Sequence, residues 1–208
     1  MTSGRLIGVP IVFESSGTYT PSAGAKSIRI KVWGGGGAGG GTQAVSSAQS
    51  AVGGGGSAGA YAESFIPATS IAIVIGTGGV ATVGADGTDG GASTAGSISA
   101  SGGSGGAVGI ASSAFPFGAA PRNPTTATGG NIINAPGNTA SMGFTWSNGG
   151  AIRSMGGQST VGSSLYAATA AGKSAGGAGA VSAGSTGAQP ALAGYNGAPG
   201  LVIVEEYS

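Results

Sequence analysis

Alternating apolar and polar residues mark the first third of the chain as β-structure. In Lys26–Trp33 the apolar residues Ile28, Ile30 and Val32 fall on every second position, the period of a strand with one solvent-facing side. Shorter runs of the same character predict further strands at Val9–Glu14, Gly17–Pro21, Ala60–Ile66 and Ile71–Ile75. Strands are therefore expected mainly in this third.

The end of the chain repeats this character. Leu201–Tyr207 is rich in β-branched and apolar residues, and we expect it to return and pair with the early strands. No segment of ten or more residues has a capped apolar face with the 3.6-residue period of a helix. The predicted fold class is mainly β with irregular structure, built on a small antiparallel β-sandwich base, with essentially no α-helix.

Glycine recurs at every third position in several stretches. The triplets are Gly34, Gly37, Gly40; Gly53, Gly56, Gly59; Gly84, Gly87, Gly90; Gly103, Gly106, Gly109; and Gly194, Gly197, Gly200. Three residues per turn is the period of a polyproline II helix, which has no internal hydrogen bonds. Glycine at the contact positions would let such helices bond to one another. The spacing predicts a bundle of polyglycine II helices.

Two domains follow from these patterns. Residues 1–83 with 200–208 are predicted to form the β-sandwich base, and 84–199 the glycine-rich bundle with its loops. Composition alone equally fits a flexible glycine, serine and alanine linker. The stretches Ile110–Thr128 and Asn138–Asn148 argue for the bundle, because they carry aromatics and prolines and lack the glycine repeat.

Composition excludes several function classes. The 208 residues include 48 glycines but only seven basic and six acidic side chains, with no cysteine or histidine. A net charge of +1 gives no basic surface for nucleic acid. Because Gly90–Val204 contains no carboxylate pair and the chain contains no thiolate or histidine, we expect no enzyme activity, no catalytic residues and no metal site. Neither a secretory leader nor a run of eighteen apolar residues is apparent, so membrane insertion is not expected.

Two motifs resemble ligand sites but are weak. Gly34, Gly36 and Gly39 have the spacing of a dinucleotide-binding turn, yet no acidic residue follows before Glu63. Asp86 and Asp89 lack the other ligands of a calcium loop, and turn-forming aspartates are the better interpretation. No cofactor is expected.

Large side chains in the glycine-rich part are the candidate binding residues. They lie in the stretches without the glycine period, and aromatic residues with arginine are typical of binding hot spots. Gap filling between glycine helices is an equally good interpretation for any single aromatic. The predicted receptor-binding residues are Phe115, Phe117, Arg122, Phe144, Trp146, Arg153 and Tyr166.

An ordered set of short motifs resembles the C-terminal glycine-rich domain of tailed-bacteriophage tail fibres of the Mu-like kind. The motifs are GRLI at Gly4–Ile7, FESSGTYTP at Phe13–Pro21, KSIRIKVWGGGGAGGG at Lys26–Gly41, GAYAE at Gly59–Glu63 and GYNGAPGLVIVEEYS at Gly194–Ser208. They cover about the first ninety residues and the last fifteen. The middle is similar in style to the distal adhesins of T-even-type phages, in which glycine-rich motifs alternate with variable loops.

The resemblance implies host attachment. A fibre tip at the distal end of the virion binds lipopolysaccharide or an outer-membrane protein on the bacterial surface, and its loops are displayed by a polyglycine II bundle. The implied partners are this receptor, the remainder of the fibre shaft and, since family fibres are commonly trimeric, two further copies; tip adhesins, however, are single chains. Assembly in the host cytoplasm is also implied. A purely structural glycine-bundle protein, such as an ice-binding one, is the alternative.

Overall fold

The computed structural model describes residues 4–208, which form seventeen short strands, one turn of 3-10 helix at Gly184–Thr186 and no α-helix. In chain order the strands are β1 (Leu6–Phe13), β2 (Gly17–Tyr19), β3 (Ser27–Trp33), β4 (Ser50–Val52), β5 (Tyr61–Pro67), β6 (Ile71–Val74), β7 (Ser93–Ala95), β8 (Ile98–Ala100), β9 (Phe117–Ala119), β10 (Ala127–Thr128), β11 (Ile133–Ala135), β12 (Gly143–Thr145), β13 (Ala151–Ile152), β14 (Gly162–Ser163), β15 (Ala171–Gly172), β16 (Val181–Ala183) and β17 (Leu201–Tyr207). The predicted fold class is confirmed.

Two five-stranded antiparallel sheets form the sandwich. Their strand orders are β1-β17-β3-β5-β11 and β10-β8-β7-β6-β2. The alternation in β3 decides which face of the first sheet is buried, because Ile28, Ile30 and Val32 are all fully enclosed. One apolar cluster fills the space between the sheets; it comprises Tyr19, Ile28, Ile30, Val32, Ala60, Ala62, Ile71, Ile73, Ala95, Ile98, Ala100, Ala127, Val202 and Val204.

The final strand β17 completes the first sheet. It pairs antiparallel with β3 along its whole length, from Leu201 opposite Trp33 to Tyr207 opposite Ser27, and its other edge pairs with β1. Val202 and Val204 enter the shared core. The expectation that the last strand returns to the early ones is confirmed.

A buried carboxylate, that of Glu206, anchors β17 near its C-terminal end. Glu206 is 4% exposed and accepts hydrogen bonds from the Tyr19 hydroxyl at 2.6 Å and the Ser22 N–H at 2.9 Å. Burial raises the pKa of the Glu206 carboxyl, but these hydrogen bonds outweigh burial and hold that pKa below its ordinary value. Burial and the same contact raise the pKa of the Tyr19 hydroxyl. The carboxylate is therefore ionised at neutral pH, and its Oε1 atom accepts both hydrogen bonds.

Beyond the sandwich lies a set of extended segments that we call the glycine array. It comprises residues 34–42, 53–60, 76–91, 101–109, 137–141, 154–157, 174–180 and 192–200, which are joined mainly by backbone hydrogen bonds. Segment 34–42 leaves β3 directly and lies at the centre. Nine extended residues span at most about 30 Å, which limits the length of the array.

Hydrogen bonds from the central segment repeat every third residue. Successive N–H groups donate to three different neighbours in turn: the first to 53–60, the second to 85–91 and the third to 192–198, at 2.8 to 3.0 Å. Its carbonyls accept from three further neighbours at Gly79, 103–109 and 177–180. The central segment is thus surrounded on all sides by backbone, as a three-residue period requires.

Glycine is required where these backbones meet. A Cβ atom added at Gly36 would overlap the carbonyl of Ala175, and one at Gly39 would overlap the carbonyl of Ala178. Because backbone cannot move aside as a side chain can, only glycine allows this spacing. Fixed bonding partners also mean that the flexible-linker interpretation does not describe these segments. The assignment of polyglycine II helices stays a prediction.

Strands also occur where the sequence predicted none. Strands β7 to β16 lie between residues 93 and 183, so the expectation that strands are concentrated in the first third is wrong. Each has only two or three residues, which is too short for a period-two pattern to be recognised.

Sandwich and array interleave along the chain. Strands β7, β8, β10 and β11, between residues 93 and 135, belong to the sandwich sheets, while segments 34–42 and 53–60 belong to the array. The division into 1–83 with 200–208 and 84–199 stays a prediction, and residues 1–3 of it lie outside the described part of the chain.

Candidate functional site

The end of the array remote from the sandwich carries a group of loops and short strands that we call the cap. Its loops are 43–52, 110–120, 142–153 and 181–191, and its strands are β4, β9, β12, β13 and β16. The cap begins where the central segment ends, at Thr42, which forms bridges to Gly109 and Leu192. Strands β4 and β16 pair with each other beneath the three-stranded sheet β13-β12-β9.

The three-stranded sheet has one face turned towards the array. Thr145 is fully enclosed, and a Cβ atom at Gly143 would touch Val52 and Ser154, so these positions of β12 face inwards. Alternation places Met142, Phe144 and Trp146 on the opposite side. The inner face thus fixes the sheet on the array and leaves the other side free.

The outer face of this sheet is apolar and exposed. Met142, Phe144, Trp146 and Ile152 are 60%, 39%, 51% and 54% exposed. Ile152 lies opposite Phe144 in the register, as does Gly118 on the other side. A Cβ atom at Gly118 would lie 3.5 Å from Met142 Sδ and 3.6 Å from the Phe144 ring, which places all of them on one face. We call these four side chains the apolar face.

Local structure holds the two aromatic rings in place. The rings of Phe144 and Trp146 stack with centroids 6.4 Å apart at 26°. The backbone N–H of Trp146 donates to the Gly150 carbonyl at 2.9 Å. The indole ring lies so close to Gly150 that any side chain at position 150 would overlap it. The Ser147 hydroxyl accepts from the Gly150 N–H at 2.8 Å and tightens the same turn. The rings are therefore preorganised for contact.

The other two predicted aromatics lie on a different side. Phe117 is opposite Thr145 in the register, so it points inwards, and it stacks on Phe115 with centroids 5.7 Å apart. Both rings are half-buried. The interpretation as gap fillers fits Phe117 better than it fits Phe144 or Trp146.

An open groove lies beside the unpaired edge of β9. Its volume is about 490 Å³. One wall is residues 107–112, the other is residues 117–120, and Val52 lies between them. Ile110 in the first wall is 56% exposed. The groove and the apolar face meet at Gly118, so both apolar surfaces belong to the cap.

Arg153 and Tyr166 lie on the side of the array. Arg153 donates to the Gly179 carbonyl at 2.8 Å, and its guanidinium lies 5.9 Å from the Tyr166 ring centroid and 5.3 Å from that of Tyr195. These contacts join the end of β13 to the loop that carries Tyr166 and to segment 192–200. In this arrangement Arg153 holds elements together, while Tyr166 remains exposed on the flank.

Arg122 lies on another flank and forms an ion pair. Its guanidinium is 3.1 Å from the Asp86 carboxylate. Asp86 also accepts from the Val108 N–H, and Asp89 accepts from the Gly105 N–H, each at 2.7 Å. The two aspartates thus bond the backbone of the neighbouring segment. Among the described residues, no group of three or more acidic or cysteine side chains is placed to hold a metal ion.

The structure separates the seven predicted residues into three locations. Phe144 and Trp146 lie together on the apolar face, Phe115 and Phe117 lie next to the groove, and Arg122, Arg153 and Tyr166 lie on the flanks. Sequence reasoning missed Met142, Ile152 and Ile110. The alternation of Met142, Phe144 and Trp146 has the period of a strand, and it could have placed Met142 on the same face as the two aromatic residues.

The cap has a single charged side chain. The four cap loops contain no Asp, Glu, Lys or Arg apart from Arg153, whose side chain turns towards Gly179. Within residues 4–208 no helix has the length and apolarity needed to cross a bilayer. The cap can therefore make apolar and main-chain contacts but offers little for charged ligands or acid–base chemistry.

The chain is similar to one described protein family. Curated proteins give no match to the chain. A family model described as a glycine-rich domain matches residues 13–207, nearly the whole length. By that match, which runs from the end of β1 to the end of β17, this chain belongs to the glycine-rich domain family.

Proposed function

We propose that this protein is the tip of a phage tail fibre, an adhesin that binds a bacterial surface receptor, and that the apolar face is its contact surface. The observation that carries this proposal is the position of Met142, Phe144, Trp146 and Ile152, which lie exposed together at the far end of the array. Apolar side chains with aromatic rings are typical of binding hot spots.

The scaffold behind this surface suits a receptor-binding role. The array is held by backbone hydrogen bonds, which do not depend on the identity of loop side chains. Its first segment follows β3 and its last segment leads into β17, so the chain joins the array to the sandwich at both points. Substitutions in the cap loops would therefore change the contact surface without unfolding the protein, as a changing receptor requires.

We also infer that the array segments are polyglycine II helices. The support is the three-residue repeat of hydrogen bonds around segment 34–42. Backbone dihedral angles from NMR chemical shifts of these residues test this inference. The expected values are about −75° for φ and about +145° for ψ, whereas φ near about −140° would identify β-strands instead.

Adsorption to cells tests the function. Labelled protein should adsorb to some members of a panel of Gram-negative strains, and the double variant Phe144→Ala with Trp146→Ala should lose at least about tenfold in affinity, because two hot-spot rings are removed. Both side chains are substantially exposed, so the fold should persist and the melting temperature should stay within about 2 °C.

A matched control separates the apolar face from general stickiness. Val9 and Val80 are 82% and 57% exposed, but Val9 lies on β1 of the sandwich and Val80 on the flank of the array. Their double replacement by alanine should leave adsorption unchanged. Equal losses in the two double variants, or no adsorption to any strain, would contradict the proposal; the second result would favour a structural glycine-bundle protein.

A further inference from the structure

The groove beside β9 points to one class of ligand. We propose that the cap binds an uncharged, extended protein segment, which lies in the groove and pairs through its main chain with the open edge of β9. This rests on the proposed function, in which the segment would belong to an exposed loop of an outer-membrane protein.

The first support is the open edge itself. In the sheet β13-β12-β9, strand β9 is at the edge and pairs only with β12. Across the groove, residues 107–112 bond on their far side, where the Ala107 carbonyl accepts from Gly54 at 2.8 Å and Ser112 pairs with Ser50. The groove thus separates two backbone stretches. A polypeptide strand bound in the groove could pair through its main chain with the open edge of β9, whereas a sugar chain has no main-chain amides with which to do so.

The second support is the chemistry of the walls. Val52, Ile110 and Phe117 line the groove, and Met142 and Ile152 flank the aromatic pair on the apolar face next to it. Aliphatic and methionine side chains favour the apolar side chains of a protein partner. Sugar sites instead need converging polar donors beside an aromatic ring, and the groove walls are mostly Ala, Gly and Val.

The third support is charge. The three basic side chains of the glycine-rich part already have partners outside the groove. Arg122 pairs with Asp86 at 3.1 Å, Lys173 pairs with Glu14 at 3.4 Å, and Arg153 donates to the Gly179 carbonyl. A phosphorylated glycan would need cationic donors at the cap. Burying a charged ligand group there without a partner would weaken binding. The complementary ligand is therefore uncharged, and its affinity should depend little on salt.

Selection from a random peptide library tests this inference, with an array of neutral and phosphorylated saccharides and purified lipopolysaccharide probed in parallel. The retained peptides should be poor in charged residues and rich in β-branched and aromatic ones. Their affinity should change by less than about twofold between low and high salt, since no screened charge pairs form.

Two charge-introducing variants locate the contact. Ile110→Asp, in the groove wall, should weaken binding of the selected peptides at least about tenfold, because a carboxylate would be buried without a partner. Val80→Asp is the matched control, since Val80 is 57% exposed on the flank, and it should bind like the unmodified protein. If Ile110→Asp lowers the melting temperature, Ala120→Asp, exposed in the opposite wall, replaces it.

The inference fails if no peptide is retained, if the retained peptides are charged, or if the groove variants bind them normally. Binding of saccharides without peptides also overturns it. Cell adsorption that resists protease but is lost after periodate oxidation would keep the proposed function and remove this ligand class. Selection of uncharged peptides without adsorption to any strain would support this ligand class and contradict the proposed function.

Discussion

Gly39→Val should destabilise the protein by about 4 kcal/mol or more, or prevent it from folding. Gly39 lies in the centre of the array, where its N–H donates to the Tyr195 carbonyl at 2.9 Å and a Cβ atom would overlap the Ala178 carbonyl. The overlapping atoms are backbone on both sides, so no rotamer change relieves the contact, and the hydrogen bonds on either side must break. Thermal unfolding followed by circular dichroism measures the effect.

The matched control is Gly17→Val at the exposed first position of strand β2. There a Cβ atom would meet only the Phe13 ring, at 3.9 Å, which is an ordinary contact. Valine also suits a strand. This variant should stay within about 0.5 kcal/mol of the unmodified protein. If the melting temperature of Gly39→Val were as near to that of the unmodified protein as the melting temperature of Gly17→Val is, the close backbone packing described for the array would be wrong.

Removal of residues 199–208 should abolish cooperative unfolding. The truncation deletes β17, which lies between β1 and β3, together with Val202, Val204 and the Glu206 carboxylate bonded to Tyr19. Each buried valine contributes about 2 kcal/mol, and the lost ladders leave β1 without a partner strand and one edge of β3 unpaired. The total matches or exceeds the stability of a typical domain, which is about 5–15 kcal/mol. Loss of amide dispersion in NMR spectra is the expected result.

Removal of Ser208 alone is the control for this truncation. Its N–H bonds to the Arg5 carbonyl at 3.0 Å, outside the core. The cost should be about 1 kcal/mol or less. A truncated protein that kept a sharp melting transition would show that β17 does not close the sandwich.

The sandwich could be predicted from sequence because its strands are long enough to show a pattern. The alternation in Lys26–Trp33 identified both the strand and its buried face, and the composition of Leu201–Tyr207 identified the closing strand. Glycine spacing identified where backbones approach closely, although not which segments are neighbours. The partners of segment 34–42 come from five other segments of the array, one of which, 76–91, passes it twice, and nothing local in the sequence encodes that order.

The cap was less predictable for a physical reason. Its strands have two or three residues, and their faces are decided by contacts with the array, such as that of Gly143 with Val52. Residue type therefore selected Phe117, Phe144 and Arg153 together, whereas the structure turns Phe144 outwards, Phe117 inwards and Arg153 towards Gly179. Met142 and Ile152 were missed because neither is aromatic or charged.

The central claim is that the apolar face is what meets the bacterial surface. Oxidative footprinting of the labelled protein, free and adsorbed to a strain that binds it, measures this by mass spectrometry. Met142 and Trp146 are 60% and 51% exposed and readily oxidised, while Tyr166 is 63% exposed on the flank. The account predicts that adsorption protects Met142 and Trp146 and leaves Tyr166 unchanged. Protection of Tyr166 with continued oxidation of Met142 and Trp146 would contradict it.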